Sequence, residues 1–238
     1  MKTNSNKTVL VTGGTRGIGL SIASTMLALN YRVIVTGRKK RQGLDNGFEF
    51  MKVDFLNDSS IEKFLNDISR LKIDILINNA GINKIHPFEE IPVSDFDEII
   101  KTNLRMPFLI CQKLLPYMKK MNWGRIVNIT SVFGQVSKEF RAPYSASKFG
   151  LDGLTIALAS EVSEYNILAN CVAPGFIDTE LTRKILGESG IKKIKQQIPM
   201  GRLGTSEEIA SLVCWLCSEE NSYISGQNIT IDGGFTRV

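Results

Sequence analysis

Lys7-Thr8-Val9-Leu10-Val11-Thr12-Gly13-Gly14-Thr15-Arg16-Gly17-Ile18-Gly19 is the stretch that decides the fold. A short apolar run closed by glycines predicts a buried strand. Apolar residues then recur at helical spacing through Ile18, Ile22, Met26 and Leu29. The order strand, glycine turn, helix suits a phosphate. Small residues let the backbone approach a pyrophosphate, and the helix presents its N-terminus to the anion. The spacing is Gly-x3-Gly-x-Gly rather than the common GxGxxG. By itself such a turn serves equally as plain structure.

The same alternation continues to the end of the chain. Strands are predicted at Arg32–Thr36, Phe48–Val53, Ile73–Ile77, Arg125–Ile129, Ile167–Val172 and Asn228–Ile231. Ser59-Ser60-Ile61-Glu62 reads as a capping box, and Thr205-Ser206-Glu207-Glu208 as another. A long helix is expected from Ser94 to Met121, adjusted at Pro107 and Pro116, and a further one from Tyr144 to Ser163. Apolar strands separated by helices predict an α/β fold: a doubly wound, seven-stranded parallel sheet with helices on both faces, in one domain over residues 1–238. The stretch between the second and third strands is too short for a full crossover helix, so a shortened connection is expected there.

Bulk composition narrows the function. The chain has 238 residues, 43% hydrophobic and 22% charged, as ordinary globular domains have. No apolar run is long enough to span a bilayer, and Met1–Lys7 has no apolar signal core, which together predict a cytoplasmic protein away from membranes. The net charge of +5 comes mostly from dispersed residues and no nucleic-acid motif accompanies it, so nucleic acid is not an expected partner. Cys111, Cys171, Cys214 and Cys217 lack a second ligand pair and read as buried reduced thiols. His86 is the only histidine. No metal site and no Ser-His-Asp triad is expected.

Chemistry enters with Pro143-Tyr144-Ser145-Ala146-Ser147-Lys148. Tyr144 and Lys148 share a helix face one turn apart. A free phenol titrates near 10, too high to exchange a proton readily at neutral pH. An ammonium about 4 Å away, at a working dielectric of about 20, favours the phenolate by about 4 kcal/mol, or roughly three pKa units. A surface tyrosine and a solvated lysine would show the same spacing, so the surrounding motifs carry the decision.

Those motifs are Thr12-Gly13-x3-Gly17-x-Gly19, Asn78-Asn79-Ala80-Gly81, Ser131, Tyr144-x3-Lys148 and Pro174-Gly175. Their order resembles the short-chain dehydrogenases/reductases over essentially the whole chain. The resemblance implies a Rossmann fold and these roles. Ser131 would hydrogen-bond the substrate oxygen, with Thr130 as its adjacent competitor. Tyr144 would pass the proton, and Lys148 would hold the nicotinamide ribose and acidify Tyr144. Asn103, in the long helix, would support a proton-relay water with Lys148. Gly13, Thr15, Arg16, Gly17, Ile18 and Gly19 would cradle phosphate, and Asn79, Ala80 and Gly81 would floor the adenosine side. Asp54 would meet adenine, and Pro174, Gly175, Ile177 and Thr179 would receive the nicotinamide end.

An acid at the end of the second strand would bind a ribose 2′-hydroxyl. Here the strand ends Val35-Thr36-Gly37-Arg38, with Gly37 in that place. Arg38 and Arg16 suit a 2′-phosphate, which paired guanidinium hydrogen bonds recognise. NADP(H) is therefore the expected cofactor. The C-terminal part, with Gly201-Arg202-Leu203-Gly204 and Asp232-Gly233-Gly234, resembles the 3-oxoacyl-[acyl-carrier-protein] reductase branch. The implied reaction is reduction of a ketone to a secondary alcohol, with a 3-oxoacyl thioester as one candidate. That branch has basic residues near Asn122 and Tyr165 for docking the acidic carrier; here both are neutral, with Lys119, Lys120 and Arg125 nearby. The segment from Ile82 to Phe88 also departs from its pattern. A sugar derivative or another small alcohol, or a non-catalytic NADP(H) sensor on the same fold, stays open. Residues 178–200 are expected to form a substrate lid, with Gly187 and Gly190 as hinges. Its Leu181, Ile185, Leu186, Ile191 and Ile194 either line a pocket or pack the flap onto the body. A homotetramer or homodimer is implied by the resemblance.

Overall fold

The computed structural model describes residues 7–40 and 47–237. Seven strands form one sheet in the order β3-β2-β1-β4-β5-β6-β7, and every pairing is parallel. They are β1 Thr8–Val11, β2 Arg32–Gly37, β3 Glu49–Lys52, β4 Ile75–Asn78, β5 Gly124–Ile129, β6 Ile167–Pro174 and β7 Asn228–Ile231. The helices are α1 Gly17–Ala28, α2 Asp58–Ile68, α3 Val93–Ile100, α4 Met106–Met121, α5 Ala142–Val162, α6 Glu180–Gln197 and α7 Ser206–Leu216.

Alternating side chains of the strands build a core on each face. Val9, Val11, Val33 and Val35 pack with Ile22 and Met26 of α1 and with Ile209 and Val213 of α7. Leu10, Ile34, Leu76 and Ile126 face the other way, onto Phe64 of α2, Ile110 and Leu114 of α4, and Ala159 of α5. Strands buried on both faces are why the sequence reads as continuous apolar runs. β1 pairs with both β2 and β4, so chain order reverses beside it. The carboxyl ends of strands at such a reversal open a crevice, where doubly wound sheets bind ligands.

Three details differ from expectation. The cap of α2 is Asn57, whose Oδ1 accepts from Ser60 N at 2.8 Å; Ser59 already lies inside the helix and donates to that same oxygen. Both residues are good caps, and the extended backbone at Asn57 decides between them. The long helix is interrupted by a π turn, Lys101–Arg105, with α4 beginning just before Pro107. Pro116 is accommodated within α4. The connection between β2 and β3 falls largely outside the described residues. The capping box at Thr205 is present in full: its hydroxyl accepts from Glu208 N, and the Glu208 carboxylate accepts from Thr205 N.

Candidate active site

Gly13 sits at φ +64, in the left-handed region that favours glycine, and a side chain there would come within 3.0 Å of Ala80 Cα. This close approach joins the turn after β1 to the segment after β4. Thr12 makes the joint: its Oγ1 accepts from both Asn79 N and Ala80 N at 3.0 Å. Asn79 Nδ2 returns bonds to the Thr12 and Gly13 carbonyls. Thr36 Oγ1 accepts from Gly13 N.

A groove of about 1040 Å³ runs over this joint. Gly13, Thr15, Arg16, Gly17, Ile18, Gly19, Arg38, Asp54, Asn79, Ala80, Gly81 and Thr179 line it, as expected from sequence. Pro174, Gly175 and Ile177 do not; they lie at and beyond the end of β6, where Gly175 N bonds to Ile231 O. The N-terminus of α1 has no side-chain cap and no acidic residue in its first turn, so its amide groups and positive dipole end suit an anion. Arg16 and Arg38 are exposed on the groove wall, and neither has an ion-pair partner among the described residues. Asp54 Oδ1 accepts from Leu56 N, which fixes the turn on the far wall. These residues fit a dinucleotide with a 2′-phosphate.

Gly81 connects the groove to the predicted catalytic set. A Cβ there would lie 3.4 Å from Asn103 Oδ1 and 3.6 Å from Lys148 Nζ. Asn103 falls inside the π turn and is fully buried. Its Oδ1 accepts from Ile82 N and its Nδ2 donates to Ile82 O, both at 2.9 Å, with a further bond to Ser147 Oγ at 3.1 Å. Ser147 Oγ donates to Tyr144 O at 2.7 Å. Asn103 therefore clamps the strand-end loop to α5. Ser147 and Thr36 were not singled out from sequence; a lone hydroxyl in a helix or strand carries no pattern, and only burial shows its partners.

The rivalry between Thr130 and Ser131 is resolved by hydrogen bonding. Thr130 Oγ1 is engaged with Val172 O and Asn228 Oδ1, both at 3.0 Å. Ser131 follows β5 and caps the next turn by accepting from Phe133 N at 3.2 Å, and its side chain meets the Tyr144 phenol. Beneath them runs a buried polar chain, Asn78 to Asn128 to Thr155, with both bonds at 2.8 Å.

The Tyr144–Lys148 pair departs from the sequence reading in its electrostatics. Lys148 Nζ lies 5.6 Å from the Tyr144 ring centroid and donates to the Ile129 carbonyl at 2.7 Å. Burial lowers the Lys148 pKa to about 8. The Tyr144 phenol is raised, not lowered: desolvation dominates, and the opposing influences are the Ser131 hydrogen bond and the charge of Arg141. The ammonium is drawn to a carbonyl rather than to the phenol, and the low-dielectric surroundings disfavour either charged form.

In the region expected as a lid, Thr179 caps α6 by accepting from Thr182 N, and its methyl is 3.7 Å from where a Gly17 side chain would begin. α6 breaks at Gly187, at φ 60 and ψ 179, whereas Gly190 stays helical. Leu186, Ile191 and Ile194 pack with Ile198, Leu203, Phe176 and Phe235. Leu181 and Ile185 are exposed, and Leu181 lines the groove. Of these apolar residues Leu181 lines the groove, whereas Leu186, Ile191 and Ile194 pack the segment onto the body. All four cysteines are free and buried, with thiol pKa values raised by desolvation. Among the described residues there is no cluster of metal-ligating side chains, and no helix is long and apolar enough to cross a membrane.

A glycine turn at a parallel sheet's switch point, joined through Gly81 to Asn103 and Lys148 beside Tyr144, defines a class. Residues 13–236 match the family model described as Enoyl-(Acyl carrier protein) reductase. The chain belongs to the short-chain dehydrogenase/reductase family and is an oxidoreductase. Among its relatives is the 3-oxoacyl-[acyl-carrier-protein] reductase FabG of Aquifex aeolicus (strain VF5), 42% identical over 240 residues, with 96% of each chain covered. FabG of Escherichia coli (strain K12) is 38% identical over 241 residues, covering 98% of each. Among solved structures, a putative NAD(P) dependent gluconate 5-dehydrogenase from Beutenbergia cavernae with bound NADP superposes with a TM-score of 0.93, at 28% identity over 99% of each chain. A gluconate 5-dehydrogenase from Burkholderia cenocepacia J2315, in complex with NADP and tartrate, gives 0.91 at 27% identity, covering 98% of this chain and 96% of that one.

Proposed function

We propose that this enzyme reduces the ketone of a 3-oxoacyl thioester to a secondary alcohol with NADPH. The observation that carries the reading is the Ser131–Tyr144 pair beside Lys148, whose Nζ approaches Gly81 on the groove wall. The groove residues from Gly13 to Gly19, with Asp54 and Asn79, Ala80 and Gly81, hold the dinucleotide, and Arg16 and Arg38 take its 2′-phosphate. Pro174, Gly175, Ile177 and Thr179 flank the nicotinamide end. The nicotinamide supplies the hydride.

Charge develops on the carbonyl oxygen as the carbon is reduced. Ser131 stabilises that charge by hydrogen bonding, and Tyr144 donates the proton. The raised phenol suits this direction, because Tyr144 stays protonated at neutral pH and is ready as an acid. Lys148 orients the ribose and returns protons to Tyr144, and Asn103 holds the loop and helix that frame the path. The whole chain acts as one binding and catalytic unit, with residues 178–200 as its lid.

The similarity to the FabG enzymes supports an acyl-carrier-bound substrate. So does Lys119, exposed on α4, whose Nζ lies 4.7 Å over the ring of Tyr165 and puts a cation on the surface beside that neutral residue. Arg125 does not contribute to docking, because it is buried and bonded to the Gly124, Asn166 and Asn221 carbonyls. Exposed Phe108, Phe149 and Ile156 on α4 and α5 support a homotetramer or homodimer built on those helices, working in the cytoplasm.

The cofactor assignment is tested by titrating the protein with NADPH and with NADH. Arg16 and Arg38 predict tighter NADPH binding by at least about tenfold, the worth of one charge-assisted contact. Tighter NADH binding refutes it.

A further inference from the structure

Charged groups face the Tyr144 phenol from its own helix and the loop before it. Lys148 lies one turn on and is held by the Ile129 carbonyl. Arg141 is the N-cap residue of α5, and Glu139 lies within its electrostatic reach. From the turn after β5 comes Ser131, which is neutral. The Arg141 guanidinium stacks on Phe133, with Cζ 5.3 Å from the ring centroid. Phe133 in turn donates its N–H to Ser131 Oγ. Phe133 thus links the guanidinium to the turn that carries Ser131, and Arg141 stands three residues before Tyr144 at the start of α5. Arg141 is half-buried and has no hydrogen-bonding or ion-pair partner for its side chain among the described residues. Tyr144 also sits in the first turn of this 21-residue helix, at its positive end.

We propose that Arg141 is a positioning residue, whose fixed charge near Ser131 and Tyr144 favours the phenolate and lowers the pH at which Tyr144 exchanges its proton. The two cations differ in kind. Lys148, lowered to about 8, loses its charge as the solution becomes alkaline, whereas a guanidinium stays charged throughout. Arg141 is then the cation that persists where alcohol oxidation, which needs the phenolate, runs fastest. The inference rests on Tyr144 as the proton donor, and it goes beyond that reading by assigning the residue that tunes it.

The test is the pH profile of kcat for alcohol oxidation. Removing the charge in Arg141→Gln raises the phenol's pKa, so the rising limb should move up by about one pH unit, with KM for the alcohol within about twofold. Arg141→Lys should restore the limb in part, because its ammonium begins to lose its proton in the same range. Arg141→Met, which keeps the contact with Phe133, serves if the glutamine variant does not fold. A limb that stays in place overturns the proposal, and so does a higher KM with an unmoved limb, which assigns Arg141 to substrate binding. Tyrosinate absorbance, titrated in each chain against its Tyr144→Phe counterpart, reads the phenol without turnover. The same shift is expected there, and its absence overturns the proposal. A phenol that shifts in a chain that turns over no ketone would sink the catalytic reading of Tyr144 while leaving the role of Arg141 standing.

Discussion

Lys148 shows how a single residue is shaped by opposing demands. A buried ammonium costs stability that a solvated one does not. Its pKa falls from 10.5 to about 8 on folding, which corresponds to about 3 kcal/mol. The folded chain releases this proton first, so between those values the unfolded chain binds more protons and stability rises with pH. Relative to Lys148→Met, the wild type should therefore gain about 3 kcal/mol between pH 8 and 10.5. Urea unfolding of both chains across that range checks it; parallel curves would contradict it. The spacing of Tyr144 and Lys148 was legible in sequence, and so was Ser131. The direction in which the phenol titrates was not, because it depends on desolvation and on a backbone carbonyl, neither of which spacing encodes. Arg141 was invisible for the same reason: one arginine in a loop has meaning only through the ring beneath it.

At the scale of elements, the places where local rules are broken are the places that frame the site. The π turn at Lys101–Arg105 turns Asn103 onto Ile82, with one extra residue in a stretch that reads as uniform helix. Such turns cluster at functional sites and leave no periodic signature. Gly187 and Gly190 were both expected as hinges, and of the two Gly187 breaks the helix while Gly190 stays helical. The φ and ψ of Gly187 belong to a region essentially reserved for glycine, where another residue is strained by about 1–3 kcal/mol. α6 presents Thr179, Glu180 and Leu181 to the groove, so Gly187→Ala should weaken NADPH binding by about tenfold, which is 1.4 kcal/mol. Calorimetric titration measures it, and an unchanged Kd would show that the kink does not position the start of α6. The choice of Asn57 over Ser59 as a cap could not be read in advance, because both residue types serve and only backbone conformation separates them.

The whole molecule follows from the alternation of apolar strands and helices, which sets a parallel sheet and places the site at its reversal point. Seven strands and their type were legible because burial on both faces leaves little freedom in composition. Strand ends shifted by a residue or two, as hydrogen bonding and sequence pattern divide ends differently. The groove wall formed by the loop after β3 and the start of α6 was the least legible, since its contacts are not periodic. Central to all of this is one claim: this fold brings Tyr144 to a ketone as its acid. Its most direct test is the loss of NADPH absorbance with an acetoacetyl thioester, compared between the wild type and Tyr144→Phe. The wild type should turn over, and the variant, which keeps the ring but not the proton, should be slower by at least about a hundredfold. Equal rates in the two chains would contradict the account.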